Sequence, residues 1–258
     1  MGCVIAVSNQ KGGVGKTTTT GALAAALARR GQQVLAVDLD PQGNLSFSMA
    51  AENEGVATSY ELLKGEVTAR AAIQPTAITD IIPANILLSG AELEFGGPGR
   101  EFLLHNALRP VRGAYDFILI DTPPALSVLT VNAFTAADKL IIPMLSDIFS
   151  LQGITQLYDT VSYVRNHCNP GLEYAGILLT RFAPRTTLAT EVRGTAEMIS
   201  SELDIPLFHT AIRSSVAVTE AQATQRSLLK YAPRNIASKD YLALADEILN
   251  KETPTHGR

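Results

Sequence analysis

The segment Asn9–Thr18 constrains the fold of this chain most, because its sequence suits one structural setting. It reads Asn-Gln-Lys-Gly-Gly-Val-Gly-Lys-Thr-Thr, between the strand-like run Val4–Ser8 and a helical pattern over Lys16–Arg30. Glycines in such a turn let backbone N–H groups point inward around phosphate oxygens. The N-terminus of the following helix adds partial positive charge. The segment therefore predicts a strand, a phosphate-binding loop and a helix in that order.

The side chains of this loop have separate predicted tasks. Lys16 is placed to reach the β- and γ-phosphates of a nucleotide, and the Thr17 hydroxyl is placed to coordinate Mg²⁺. The other residues that we expect at the phosphates are Lys11, Gly12, Gly13, Val14, Gly15 and Thr18.

The rest of the chain alternates strand-like and helical patterns, which indicates a mostly parallel sheet covered on both faces. Further strands are predicted at Val34–Val37, Phe117–Ile120, Leu140–Pro143, Leu172–Leu179 and Pro206–Thr210. Further helices are predicted at Ser59–Lys64, Leu151–Arg165, Leu188–Leu203 and Lys239–Asn250. Residues 50–100 are expected to be an excursion from the sheet. The 258 residues, 46% of them apolar, suit a single α/β domain with a core at about 3–250 and a polar tail at 251–258.

Composition limits the compartment and the partners. Two cysteines, Cys3 and Cys168, favour a reducing cytoplasm over a disulfide framework. The longest Ala/Leu-rich stretch, Ala22–Ala28, is too short to span a bilayer. The net charge of −4 gives no general attraction to nucleic acid, but residues 181–234 hold seven Lys or Arg against five Asp or Glu.

Two acidic segments follow predicted strands, at the edge where open α/β sheets bind ligands. The first reads Asp38-Leu39-Asp40-Pro41-Gln42-Gly43-Asn44, and the second ends Asp121-Thr122-Pro123-Pro124. A buried strand that delivers Asp121 beside the phosphates can hold Mg²⁺ directly or through water. Asp38 is expected near Mg²⁺ or as a brace for its loop. Asp38 and Asp40 could instead form turns before Pro41, and Asp121 alone could be a strand-end cap.

These motifs together resemble those of a known ATPase class. Lys11 stands before Gly12-Gly13, while the common GxxxxGK[ST] pattern would require glycine at Gln10. The form KGGxGK[ST] is the deviant Walker A motif, and the chain resembles the ParA/MinD class of P-loop ATPases that carries it. The segments 211–221 and 231–233 are similar to the C-terminal part of ParA/Soj proteins. The likeness covers residues 3 to about 250.

The resemblance implies roles for particular residues. ATP and Mg²⁺ are the expected ligands, and ATP would be held between two subunits of a homodimer. Lys16 would act on the nucleotide of its own subunit and Lys11 on that of its partner, although Lys11 could be a solvated loop lysine. Asp40 would orient or activate the attacking water. Thr180, Arg181 and the segment from Pro206 to Arg213 are the expected base contacts.

The resemblance also implies a biological task. Short ParA/Soj proteins bind DNA without sequence preference in the ATP state, and a ParB-like DNA-binding partner stimulates hydrolysis. Arg185 and Arg213 correspond to DNA-contacting arginines, although each could be an ordinary surface charge. Weaker candidates for DNA contact are Arg193, Arg226, Lys230 and Arg234. The protein would be cytoplasmic and associated with the nucleoid when ATP is bound.

Two other functions stay open. A MinD-like membrane switch needs a basic amphipathic C-terminal helix, whereas residues 251–258 are short and polar and contain Pro254. Membrane binding is therefore not expected. A metabolic relative, such as an amidoligase or a dethiobiotin-synthetase-like enzyme, is less favoured because of Lys11 and the acidic segment at Asp38. The cargo, whether chromosome, plasmid or conjugative element, is not specified.

Overall fold

The computed structural model describes residues 2–145, 150–184 and 186–252. Within them, seven strands form one sheet in the order β3-β4-β2-β5-β1-β6-β7. Their bounds are β1 Cys3–Val7, β2 Val34–Asp38, β3 Gln74–Pro75, β4 Asp80–Ile82, β5 Phe117–Asp121, β6 Lys139–Leu145 and β7 Glu173–Thr180. Neighbouring strands are parallel except for β3 and β4. The predicted mostly parallel α/β sheet is confirmed.

Helices cover both faces of this sheet. Those of the described residues are α1 Lys16–Arg29, α2 Asn44–Ser48, α3 Ser59–Lys64, α4 Ala69–Ala72, α5 Ala91–Glu94, α6 Leu103–Leu108, α7 Val128–Ala136, α8 Ser150–His167, α9 Thr187–Leu203, α10 Val216–Ala223, α11 Leu228–Tyr231 and α12 Ile236–Glu252. Short 3-10 turns lie at Ile86–Gly90, Arg100–Phe102 and Arg112–Ala114. No helix in the described ranges has the length and apolar character to cross a bilayer.

The strand period of two divides the core between the two faces. On β1, Val4 and Ala6 point into one buried cluster, with apolar residues of α3 to α9. Ile5 and Val7 point into the other, with α1, α10, α11 and α12. Both faces are apolar, as expected for central parallel strands. Because the central strands run parallel, their carboxyl ends and the loops that follow them lie at one edge of the sheet.

The strand register aligns the predicted chemical residues. Val7 at the end of β1 lies opposite Asp121 at the end of β5, and Asp38 at the end of β2 lies opposite the same Asp121. The phosphate-binding loop and both acidic segments therefore leave the sheet side by side.

Two expectations were wrong in detail, and several elements were not predicted. Residues 50–100 are not wholly an excursion, because β4 pairs in parallel with β2 and continues the sheet. The strand expected at Pro206–Thr210 is reduced to an isolated bridge between Leu207 and Ile177. Helices α2, α4, α5, α6, α7, α10 and α11 were not predicted. The polar tail at 251–258 stays a prediction, since residues 251 and 252 end α12 and residues 253–258 lie outside the described residues.

Candidate nucleotide-binding site

The loop between β1 and α1 has the backbone of a phosphate cradle. Gly13 and Gly15 have φ values of 74° and 89°, in the left-handed region that glycine tolerates best. Gly15 precedes the first turn of α1, and no side chain of the described residues caps that helix start. The first N–H groups of a helix need acceptors from outside the helix, and phosphate oxygens are suitable ones. The local geometry therefore fits an anion at this position.

Lys16 is nearly buried beneath the loop. Lys16 is 7% exposed, and its Nζ donates a hydrogen bond to the Lys11 carbonyl at 3.2 Å. Burial lowers the pKa of Lys16, while the charges of Asp121 and Asp40 act in the opposite direction. A bound phosphate would add the same sign of charge as those carboxylates and would favour the ammonium form.

Asp38 is held as a brace between two loops. Its Oδ1 accepts from the backbone N–H of Asp40 at 3.1 Å, and its Oδ2 accepts from the N–H and the hydroxyl of Ser46 at 2.9 and 2.7 Å. Burial raises the pKa of Asp38 to about 6, and these hydrogen bonds oppose the rise. The contacts match the brace expected as one role of Asp38. Its assignment as a metal ligand stays a prediction.

Asp121 offers an oxygen for a cation. Its Oδ1 accepts from the Thr20 hydroxyl at 3.4 Å, whereas its buried Oδ2 has no hydrogen-bond partner among the described residues. Burial and then the charge of Asp38 raise the pKa of Asp121 well above its ordinary value, and a hydrogen bond from the Thr17 side chain lowers it. A buried acceptor without a partner, beside a threonine hydroxyl, fits Mg²⁺.

The small number of protein ligands predicted here also suits Mg²⁺. Mg²⁺ usually keeps several waters and binds through one or two protein ligands together with phosphate oxygens. Thr17 and Asp121 would supply those protein ligands, and the ion would neutralise phosphate charge when bound. Both assignments stay predictions.

Asp40 forms the turn expected of it, and its role in orienting water stays a prediction. Its Oδ1 accepts from the Gln42 backbone N–H at 3.0 Å, which is the turn expected before Pro41. Asp40 also lines the cleft beside the phosphate-binding loop and retains 8% exposure. A turn-forming carboxylate can still present its other oxygen to a water in the cleft. The turn and the water-orienting role are therefore compatible.

The cleft above these residues has a volume of about 760 Å³. Its walls include Gly12, Gly13, Gly15, Lys16, Thr17, Thr18, Thr180 and Arg181. The structure thus brings most predicted nucleotide contacts together, but Lys11, Val14 and Pro206 are not among the described residues that line the cleft. The Thr180 hydroxyl donates to the Val14 carbonyl at 2.8 Å and so ties β7 to the loop. Base contacts by Thr180, Arg181 and Pro206 stay predictions.

The two arginines expected at DNA are placed differently. Arg213 lines the cleft and forms an ion pair with Asp240, whose side chain is 8% exposed. Arg185 lies outside the described residues. Lys11, expected to act on the partner's nucleotide, is half-buried, and its backbone N–H donates to the Asn9 Oδ1 at 3.0 Å. None of these contacts tests the predicted roles.

Sequence reasoning missed one wall of the cleft. It is built by α10 and the residues before it, and Val216, Thr219 and Gln222 line it. Ser215 caps α10 by accepting from the Ala217 N–H, so a serine before an apolar run was the available signal. Gln222 Nε2 donates to the Thr18 Oγ1 at 3.1 Å. Because Gln222 and Thr18 are far apart in sequence, no local sequence pattern could have predicted this hydrogen bond.

Comparison with known proteins agrees with this geometry. A family described as "AAA domain" matches residues 2–174. Chromosome partitioning protein ParA of Caulobacter vibrioides is 40% identical over 255 residues, covering 96% of this chain and 94% of that protein. Sporulation initiation inhibitor protein Soj of Bacillus subtilis is 40% identical over 252 residues, covering 96% and 98%.

A solved structure is similar over the same length. It is cobyrinic acid a,c-diamide synthase from Mycobacterium smegmatis, with bound ADP and magnesium. It is 35% identical, with a TM-score of 0.85, and the match covers 97% of this chain and 95% of that one.

Proposed function

The chain belongs to the ParA/Soj family of partition ATPases, and from this premise we propose that it is an ATP-driven switch whose dimer binds DNA. The observation that carries the proposal is the two-lysine loop at the carboxyl edge of the sheet. It holds Lys16 in the cleft wall with Asp40 beside it. ATP is the nucleotide and Mg²⁺ the ion, as the ADP and magnesium of the similar solved structure support.

Hydrolysis supplies the off-switch. Asp40 orients the attacking water, and Lys16 stabilises the charge that develops on the transferred phosphoryl group. Lys11 of a second subunit adds a further cation, so that two chains pair only when the triphosphate is present. An ATP-bound dimer then persists until hydrolysis removes the charge that holds it together.

In this proposal, dimerisation enables DNA binding because it brings two copies of a modest basic surface together. Arg226, Lys230 and Arg234 are exposed around α11, close to the helix that forms the cleft wall. One subunit offers few phosphate contacts, and a dimer offers about twice as many. Each neutralised phosphate contributes a slope of about −0.9 to the dependence of log affinity on log salt. Binding should therefore be strong only in the ATP state and independent of sequence.

A DNA titration at several salt concentrations tests this proposal directly. We expect duplex DNA to bind with ATP and Mg²⁺, to bind weakly with ADP or without nucleotide, and to lose affinity steeply with salt. Two duplexes of unrelated sequence should behave alike. A ParB-like partner from the same genome should then raise the rate of ATP hydrolysis. Equal DNA binding in all three nucleotide states would refute the DNA switch.

The similar diamide synthase keeps a metabolic function as the second candidate. An amidoligase would consume ATP only when a carboxylic acid and an amide nitrogen donor are both supplied. A DNA switch would hydrolyse ATP slowly without them. Turnover that depends on cobyrinic acid and glutamine, and not on DNA or a partner protein, would favour the ligase.

A further inference from the structure

The hydrogen bond between Gln222 and Thr18 joins parts of the chain that are far apart in sequence. Gln222 lies on α10, and Thr18 lies in the first turn of α1 after the phosphate-binding loop. The Gln222 Nε2 donates to the Thr18 Oγ1 at 3.1 Å. Both residues are half-buried, and both line the nucleotide cleft. The contact therefore stands at the edge of the space that the phosphates would occupy.

The direction of this hydrogen bond decides where the Thr18 proton points. A threonine hydroxyl has one proton to donate and two lone pairs that accept. Gln222 occupies a lone pair, which leaves the proton available for an acceptor in the cleft. The strongest acceptors that a nucleotide brings are its phosphate oxygens. We propose that Gln222 is a positioning residue, which orients the Thr18 hydroxyl as a donor to the phosphates of bound ATP.

The surroundings of Gln222 suit this task. Its helix is fixed at the start by the Ser215 cap and along its length by buried Ala221. At its far end, the Tyr231 hydroxyl donates to the Glu220 carboxylate at 3.2 Å. Gln222 also lines a second, small cavity of about 30 Å³, which shares Thr18 with the cleft. A donor fixed in advance on a packed helix lowers the cost of ordering the hydroxyl when ATP binds.

The test is a double-mutant cycle on ATP binding. Gln222→Leu keeps the size of the side chain but removes the donor. We expect it to weaken ATP binding about three- to tenfold, the range for one hydrogen bond, with the change falling mainly on the KM for ATP. Thr18→Val should weaken binding as well, and the double variant should bind no more weakly than Thr18→Val alone. Gln156→Leu, on the exposed face of α8, is the matched control and should bind ATP normally.

Two further variants separate positioning from packing. Gln222→Glu can accept from the Thr18 hydroxyl but cannot donate to it, so it should turn the proton away and bind ATP less well than Gln222→Leu. Thr18→Ser keeps the hydroxyl. In the Thr18→Ser background, Gln222→Leu should therefore weaken ATP binding as much as it does in the wild type. Equal losses from Gln222→Leu in the wild-type and Thr18→Val backgrounds would overturn the proposal. So would wild-type ATP affinity in either Gln222 variant.

Discussion

Replacement of Arg213 by alanine distinguishes a structural arginine from a DNA-binding one. The Arg213 Nε lies 2.9 Å from the Asp240 Oδ2 and 3.1 Å from its Oδ1, and a terminal guanidinium nitrogen also contacts Oδ1. The side chain of Asp240 is 8% exposed, and that of Arg213 is 35% exposed. The substitution removes these contacts and leaves Asp240 with the backbone N–H of residue 213, at 2.9 Å.

The expected cost follows from that geometry. Hydrogen bonds between charged groups contribute about 1.5–3 kcal/mol when buried, and the partial exposure of Arg213 reduces that figure. We therefore expect the free energy of unfolding to fall by about 1–2 kcal/mol. For a chain of this size, each kcal/mol lowers Tm by roughly 2–4 °C. Thermal unfolding of the nucleotide-free protein measures this shift.

Two control variants make the interpretation specific. Arg234→Ala removes the same charge from an exposed position and should change the free energy of unfolding by less than about 0.5 kcal/mol. Arg213→Lys keeps the charge but loses the paired contacts, so it should show most of the fall in stability of Arg213→Ala and little change in DNA binding. An unchanged Tm for Arg213→Ala, together with a DNA salt slope smaller by about 1.8 because the dimer loses two arginines, would show that the ion pair is unimportant and that Arg213 serves DNA.

Four further predictions address the nucleotide site. Lys16→Ala should abolish ATP binding in calorimetry, because the central phosphate cation is lost, and near-normal affinity would refute the phosphate-loop assignment. Lys11→Ala should bind ATP but fail to dimerise in sedimentation with ATP and Mg²⁺; a dimer like that of the wild type would rule out its role across subunits. Asp40→Ala should bind ATP and hydrolyse it about 10²-fold more slowly in a phosphate-release assay, whereas unchanged turnover would remove Asp40 from the catalytic group. Because burial raises the pKa of Asp38 to about 6, its stabilising contribution should be present below about pH 4 and lost as the pH rises through about 6. The free energy of unfolding of Asp38→Asn should lack this part of the pH dependence. Identical pH profiles for the wild type and Asp38→Asn would contradict the prediction.

The central part of the fold was predictable because its signals are local. The loop at 9–18 needs glycines in left-handed conformations and a helix directly after it, and both requirements are visible in the sequence. The observed start of α1 at Lys16 agrees with the prediction. The apolar runs of β1, β2 and β5 are buried on both faces, so their composition alone identifies them as central parallel strands. The positions of Asp38 and Asp121 follow from strand ends that these runs define.

The missed elements are those that depend on distant partners. Strand β4 has three residues, Asp80–Ile82, and too little sequence to show a period; its extended form comes from pairing with β2. The segment after Pro206 has the composition of a strand, yet only Leu207 bridges to β7. In α10, Val216 is 73% exposed while Ala221 is buried, so small and apolar residues lie on both sides and give no clear stripe.

Asp38 at the end of β2 and Asp40 in the loop after it show why a structural role and a chemical role can belong to one motif. Asp38 accepts three hydrogen bonds and fixes the backbone of Asp40, which in turn fixes Gln42. Each carboxylate therefore fixes the backbone two residues further along the chain. Asp40 is the member that reaches the cleft, and its precision there depends on Asp38, which is wholly buried. The turn at Asp40 is thus the means by which the sequence places a carboxylate at the edge of the cleft, where the proposed water-orienting role requires it.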